Sequence, residues 1–437
     1  MSRGTPTHDF VDLAWAREYH ASKRQAAPPE PVPFSGLVLS PDLRGRTGRP
    51  PLQEVSLEWQ QFKQLRRAYG FDEVAIVPGD VTINPEQTDI HLDIGEYRLE
   101  LPIMAAALDA LSSPRTAIEM HRLGGLAVLN LEGLQTRYEN PDPIFEQLAA
   151  VPQNQATTLL QQVYAVPIQE KFVGDRVREI KKAGALCAVS MTPANTKRLA
   201  PVAVEAGADI IVVQSTVTTA RHISKSPKGL VISELISQIH VPVLVGNTVS
   251  FSAALELMET GISGLLIGVG PGAICTSREV LGIGVPQVTA TMDCAAARQE
   301  YLRRTGRYVP IITDGGIRTG GDLCKTFACG ADAVMLGTQL VQSREAPGMG
   351  YSWGMAGFHM ALPRGTRVKT GTKGTLKQIL FGPATVSDGT QNFVGALRTC
   401  MGTCGAFTIQ DMQRAEMVVA PAIRTEGKYL QMTQPLG

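Results

Sequence analysis

The segment Gly268-Val269-Gly270-Pro271-Gly272-Ala273-Ile274-Cys275-Thr276-Ser277-Arg278 holds the densest chemistry in the chain. Glycines at 268, 270 and 272 allow positive φ and a close approach of backbone to a ligand or ion. They bring Cys275 to the tip of a loop, followed by two hydroxyls and a guanidinium. A thiol so placed can attack as thiolate, and Arg278 is the residue expected to favour that form. The same residues also make an ordinary glycine turn with an incidental cysteine, and the local pattern does not choose between the two.

Two further glycine turns follow apolar runs, Thr313-Asp314-Gly315-Gly316-Ile317 and Met335-Leu336-Gly337-Thr338. Backbone N–H groups in such turns can face an anion, so the pair is expected to seat a phosphate. Asp314, at the C-terminal end of a strand, is placed to accept two ribose hydroxyls; a structural Asp in a turn is the plainer alternative. A nucleotide beside a nucleophilic thiol is the chemistry these residues suggest.

Short aliphatic runs recur from Phe71 onward: Leu101–Ala106, Gly125–Asn130, Ala185–Met191, Asp209–Gln214, Val241–Gly246, Gly264–Gly268, Val309–Asp314 and Asp332–Gly337. Segments with helical spacing lie between them, among them Pro114–Leu123, Asp175–Ala183, Thr196–Ala206 and Phe251–Thr260. Eight β-α units whose strands are apolar on both faces predict an α/β fold, a parallel (β/α)8 TIM barrel, with an open doubly wound sheet as the alternative. In such a barrel the loops after the strands carry the chemistry, which is where all three glycine turns fall. Residues 1–60, with Pro28-Pro29-Glu30-Pro31-Val32-Pro33, read as an irregular, Pro-rich N-terminal arm, flexible or packed on a neighbouring subunit. Residues 61–437 read as the barrel, ending in a short C-terminal extension from Gly365 with one helix near Gly395–Gly402.

The formal net charge is +1, which argues against nucleic acid or an acidic membrane surface as partner. No apolar run approaches the roughly 18 residues that span a bilayer, and a signal pattern is lacking, so the expected location is the cytoplasm. The cysteines at 187, 275, 294, 324, 329, 400 and 404 fit neither a disulfide framework nor zinc spacing, and most are expected to be buried.

The Gly268–Arg278 loop, with Gly284-Val285-Pro286-Gln287 after it, resembles the catalytic loop of the IMP dehydrogenase/GMP reductase superfamily. Phe71-Asp72-Glu73-Val74, Val243-Leu244-Val245-Gly246-Asn247, Asp314–Ile317, Gly330–Gly337, Glu345-Ala346-Pro347-Gly348 and Gly354-Met355 are similar to that family in the same order. The likeness runs from about Leu65 to Gly405 and is nearest to a bacterial IMP dehydrogenase-related branch. The resemblance implies that Cys275 attacks C2 of a purine nucleoside monophosphate, assisted by the Ser277 hydroxyl. It implies ribose on Asp314, phosphate on Gly316, Gly337 and Thr338, and the purine edge on the backbone of Gly354 and Met355. NADP(H) or NAD(H) would lie beyond the base, on the side of Gln214 and Asn247. A monovalent cation such as potassium would sit on carbonyls of Gly270, Gly272 and Cys275. A homotetramer or larger homo-oligomer is implied as well.

Several positions depart from the family pattern. Ser277 stands where Thr is usual, Gln214 replaces an acid, Leu266 replaces a common basic residue, and Arg364 replaces a Glu or Gln. The CBS pair that many family members insert after the second strand has no room in Leu131–Ala185. Only Ala356–Leu362 separate Met355 from Pro363, too little for the long flap whose Arg-Tyr pair activates water in IMP dehydrogenases. The absent flap tilts the expectation toward GMP reduction with NADPH over IMP oxidation with NAD. A reductase also needs an acid for the departing ammonia, and Glu345 in the eighth loop is the available guess. A nucleotide-binding regulator that lost its chemistry is the rival class; the intact Cys275 and Ser277 oppose it.

Overall fold

Each of the eight apolar runs forms a strand, and the strands close into a barrel. They are β1 (Ile103–Ala105), β2 (Leu126–Asn130), β3 (Ala188–Met191), β4 (Ile210–Gln214), β5 (Val243–Thr248), β6 (Gly264–Ile267), β7 (Ile311–Asp314) and β8 (Ala333–Leu336). All eight pairs are parallel, and β8 returns to β1 through Val334 opposite Ile103. The computed structural model describes residues 65–221, 230–354 and 366–421. The expected arm at 1–60, and the calls on Met355 and Arg364, lie outside the described residues.

Period-2 alternation divides every strand between two cores. One set, including Met104, Val128, Ile210, Val212, Leu244, Leu266, Ile312 and Met335, fills the barrel interior. The other set packs under the surrounding helices. Leu266 therefore has a physical account: it is fully buried in a dry aliphatic layer, beside Gly246, where a Cβ would come within 2.5 Å of the Leu266 Cβ. A hairpin, Leu92–Ile94 with Tyr97–Leu99, contributes Leu92, Ile94 and Leu99 to the same interior cluster.

Helices recur at the expected places: Pro114–Arg122, Glu170–Lys182, Pro193–Glu205 and Phe251–Glu259. Ser113 and Ser250 cap two of them, accepting the N–H groups of Thr116 and Ala253. The predicted C-terminal helix spans Phe393–Thr403. Two helices, Asp142–Ala150 and Gln153–Ala165, were not anticipated. The first buries only Phe145 and Leu148, so periodicity barely marks it, whereas Ala156, Leu160, Val163 and Tyr164 of the second keep helical spacing that the sequence reading passed over. They seat a second hairpin, Tyr351–Trp353 with Arg367–Lys369. Phe145 stacks near Trp353 at 6.2 Å between ring centroids. Buried Arg367 donates to the carbonyls of Leu148 and Val151, at the C-terminal end of the first helix, where a cation is favoured. Among the described residues no helix is long and apolar enough to cross a membrane.

Candidate active site

Alternation carries straight up to the mouth of the barrel. Ile210 and Val212 point inward on β4, and so does Gln214 two residues on; Ile312 points inward on β7, and so does Asp314. A register shift between Gly246 and Thr248 on β5 re-aims Asn247 toward the same place. The result is a three-residue cluster. Gln214 Nε2 donates to Asp314 Oδ2 at 2.8 Å and to Asn247 Oδ1 at 2.9 Å, and Asn247 Nδ2 donates to Asp314 Oδ2 at 2.9 Å.

Both amides meet the same carboxylate oxygen, Oδ2. Burial pushes the Asp314 carboxyl up to about 6, against the lowering effect of the Asn247 and Gln214 hydrogen bonds. The sequence reading assigned Gln214 and Asn247 to the cofactor. Both side chains donate to Asp314 through their N–H groups.

Cys275 lies in the loop after β6, half-buried, and its thiol donates to the buried Ser277 hydroxyl at 3.4 Å. The loop folds on itself through the Cys275 N–H donating to the Gly272 carbonyl at 3.0 Å. Gly270 takes φ +79°, and a Cβ there would fall 2.6 Å from Arg278 Cγ. The Arg278 side chain runs along Gly270 and Gly284, and its guanidinium donates to the Val285 carbonyl at 2.9 Å, tying the outgoing limb of the loop.

The thiol loop and the Asp314 turn pack against each other. A Cβ on Gly315 would stand 3.5 Å from the Gly272 nitrogen, and one on Gly316 3.0 Å from Pro271 Cβ; both glycines have φ near +80°. Gln287 locks the two together, its Nε2 donating to the carbonyls of Ile267 at 2.9 Å and Asp314 at 3.1 Å. The two carbonyls it joins belong to different strands, so no local pattern marks Gln287 for this part. Gly337 caps the short helix Thr338–Val341 after β8, beside Leu108 of the first loop. Gly354 ends the described part of the second hairpin, and a Cβ there would meet nothing within 4 Å.

Glu345 is engaged elsewhere. Its carboxylate accepts the Leu376 N–H at 2.9 Å, at the first turn of helix Leu376–Phe381. A second polar group lies on the same side of the barrel, in the loop after β1. There Asp109 accepts from the Tyr164 hydroxyl and the Leu134 N–H at 2.9 Å, and Trp353 Nε1 donates to the Tyr164 oxygen at 3.1 Å. The chain Trp353–Tyr164–Asp109 thus joins the second hairpin to the first loop. Among the described residues no group of His, Cys, Asp and Glu could hold a metal ion. The monovalent cation implied by the resemblance would sit on the backbone carbonyls of Gly270, Gly272 and Cys275. They are oxygens of suitable kind, and the Gly272 carbonyl already accepts one N–H.

Residues 68–428 match the IMP dehydrogenase / GMP reductase domain family. An uncharacterized oxidoreductase of Mycolicibacterium smegmatis is 41% identical over 82% of this chain and 98% of its own. A crystal structure of an IMP dehydrogenase/GMP reductase-like protein from Corynebacterium glutamicum is similar with a TM-score of 0.77. It is 36% identical, over 82% of this chain and 95% of that one. Inosine-5'-monophosphate dehydrogenase of Cryptosporidium parvum is 27% identical over 82% of this chain and 93% of its own length.

Proposed function

The chain belongs to the IMP dehydrogenase/GMP reductase family, and from that membership we propose that Cys275 attacks C2 of a purine nucleoside monophosphate in an NAD(P)-dependent oxidoreduction. The observation that carries the reading is the packing of the Cys275 loop against the Asp314-Gly315-Gly316 turn, locked by Gln287. A thiol and a ribose acceptor brought to one mouth of the barrel can bind a nucleotide with its base over the sulfur. Ser277 takes or returns the thiol proton. Gly316, Gly337 and Thr338 hold the phosphate, and Gly354 and Met355 read the purine edge. The nicotinamide cofactor supplies hydride exchange at C2. Gln214 and Asn247, amides at the ends of β4 and β5, are the side chains of suitable chemistry on its side. A monovalent cation on Gly270, Gly272 and Cys275 would steady the loop.

Oxidation of IMP is the direction we favour. Ammonia release from GMP needs an acid, Arg364 stands where that acid is expected, and the Glu345 carboxylate already accepts a helix N–H. GMP reduction is the second reading, favoured by the short span Ala356–Leu362 and the missing Arg-Tyr pair.

Paired absorbance assays on the purified chain decide between them. The expected result is reduced nicotinamide formed with IMP and no NADPH consumed with GMP. The reverse pattern makes the protein a GMP reductase. Tight nucleotide binding with turnover in neither assay makes it a regulator.

A further inference from the structure

Three cysteines that the proposed reaction does not use meet on the flank of the barrel. Helix Gly320–Ala328 packs closely on helix Phe393–Thr403, so closely that a Cβ on Gly320 would stand 2.5 Å from the Cβ of Ala396. One turn further along each helix come Cys324 and Cys400. The helical repeat of about 3.6 residues per turn therefore sets the two thiols facing each other. Cys324 is 4% exposed, and its Sγ reaches the Ala396 carbonyl at 3.5 Å as well as the Cys400 thiol. Cys404, at the end of the same helix as Cys400, hydrogen-bonds Cys400 from the other side.

We propose that Cys400 and Cys324 form a peroxide-reactive thiol pair that closes to a disulfide between these two helices. Cys400 is the group to be attacked first. It is half-buried whereas Cys324 is buried, and both line an open surface cavity with Gly321, Gln391, Thr399 and Thr403. Hydrogen bonds from Cys324 and Cys404 stabilise the Cys400 thiolate and lower its pKa, while the same contact and burial raise that of Cys324. A thiolate held this way is the reactive species toward oxidants.

The chemistry balances in two steps. The Cys400 thiolate attacks the outer oxygen of a hydroperoxide, the O–O bond breaks, and after proton transfer Cys400 is a sulfenic acid and the peroxide an alcohol or water. Cys324 then gives up its proton and attacks the Cys400 sulfur, forming the S–S bond as the sulfenic oxygen leaves as water. Both electrons go to the hydroperoxide. Because neither sulfur belongs to the nucleotide site, the pair stands apart from the reading of that site.

The test is limited exposure of the full chain to hydrogen peroxide, blocking of residual thiols at acid pH, and peptide mapping by mass spectrometry. The expected product is a Cys324–Cys400 crosslink that forms before Cys187, Cys294 or Cys329 is oxidised. It is lost in Cys400→Ser and slowed in Cys404→Ser. A Cys400 that stays reduced while the fully buried thiols oxidise overturns the proposal, and so does a Cys400–Cys404 linkage in its place. Should Cys400→Ser not fold, alkylation rates in the unmutated protein serve instead: Cys400 must react faster than Cys404, and equal or slower reaction overturns the inference.

Discussion

Gln214 on β4 and Asp314 on β7 join across the mouth of the barrel through a 2.8 Å bond from Nε2 to Oδ2. The family pattern has an acid at the Gln214 position, and a carboxylate there would face Asp314 with like charge. The amide instead donates, which favours the ionised form of Asp314 against the cost of burial.

Gln214→Leu removes one donor from Asp314 and should raise its pKa further above about 6. If the ionised carboxylate accepts ribose hydroxyls as proposed, nucleotide affinity is held above that pKa and lost as pH falls through it. In the variant the loss should begin at higher pH. Titration calorimetry with a nucleoside monophosphate from about pH 5 to about pH 8 reads the shift; identical profiles would remove Gln214 from this role.

Cys275→Ala should abolish turnover while leaving nucleotide binding nearly intact, since the thiol acts on the base and does not hold the phosphate. Ser277→Ala should lower kcat by about a hundredfold or more if the hydroxyl 3.4 Å from the thiol moves its proton. Near-normal activity in Cys275→Ala would refute the covalent mechanism.

Asp314→Ala leaves ribose hydroxyls without an acceptor, a loss of roughly 1–3 kcal/mol in binding. That corresponds to a Kd raised about 5- to 150-fold. Affinity for the free purine base should stay unchanged, and an equal loss for base and nucleotide would sink the assignment.

Asp109 is fully enclosed, and burial pushes its carboxyl up to about 6 from 3.8, only partly offset by Tyr164 and Leu134. Between these values the folded state keeps a proton that the unfolded chain has released. The contribution of Asp109 to stability therefore falls as pH rises from about 4 to about 6, and is level above that. Asp109→Asn should flatten this part of the curve, measured as urea midpoints at both ends of the window. An unchanged slope would show that Asp109 is ionised throughout.

Arg298 and Asp332 form a buried pair at 2.5 Å, with side chains 2% and 5% exposed. Tyr308, Gln413 and the Ile311 N–H also donate to Asp332. Arg298→Ala leaves that carboxylate without its cation and should cost about 3 kcal/mol or more. Thermal denaturation reads the loss. A Tm within experimental error of the unmutated protein would mean that the three remaining donors suffice.

The barrel was legible because its signal is local. Eight aliphatic runs, most of them followed by a helical stretch, place strands within a few residues of where they form, and glycine turns follow the sixth, seventh and eighth. Cys275 could be singled out for the same reason, since its loop is one continuous segment. What the residues could not reveal is which side chains meet once the sheet closes. Gln214, Asn247 and Asp314 are separated by 33, 67 and 100 residues, and their union depends on strand register and on the shift in β5. Arg278 and Glu345 carried charge that suggested catalysis, yet each found a nearer backbone partner. Helix Asp142–Ala150 buries too narrow a stripe to be seen by periodicity, and it is held by packing under the second hairpin through Phe145 and the Leu148 and Val151 carbonyls. Sequence alone determined the strands and most of the helices and singled out the Cys275 loop, because propensity and alternation act between neighbours. The tertiary structure decided the hydrogen-bonded partners, because a buried polar group is satisfied by whatever the closed barrel brings within about 3 Å.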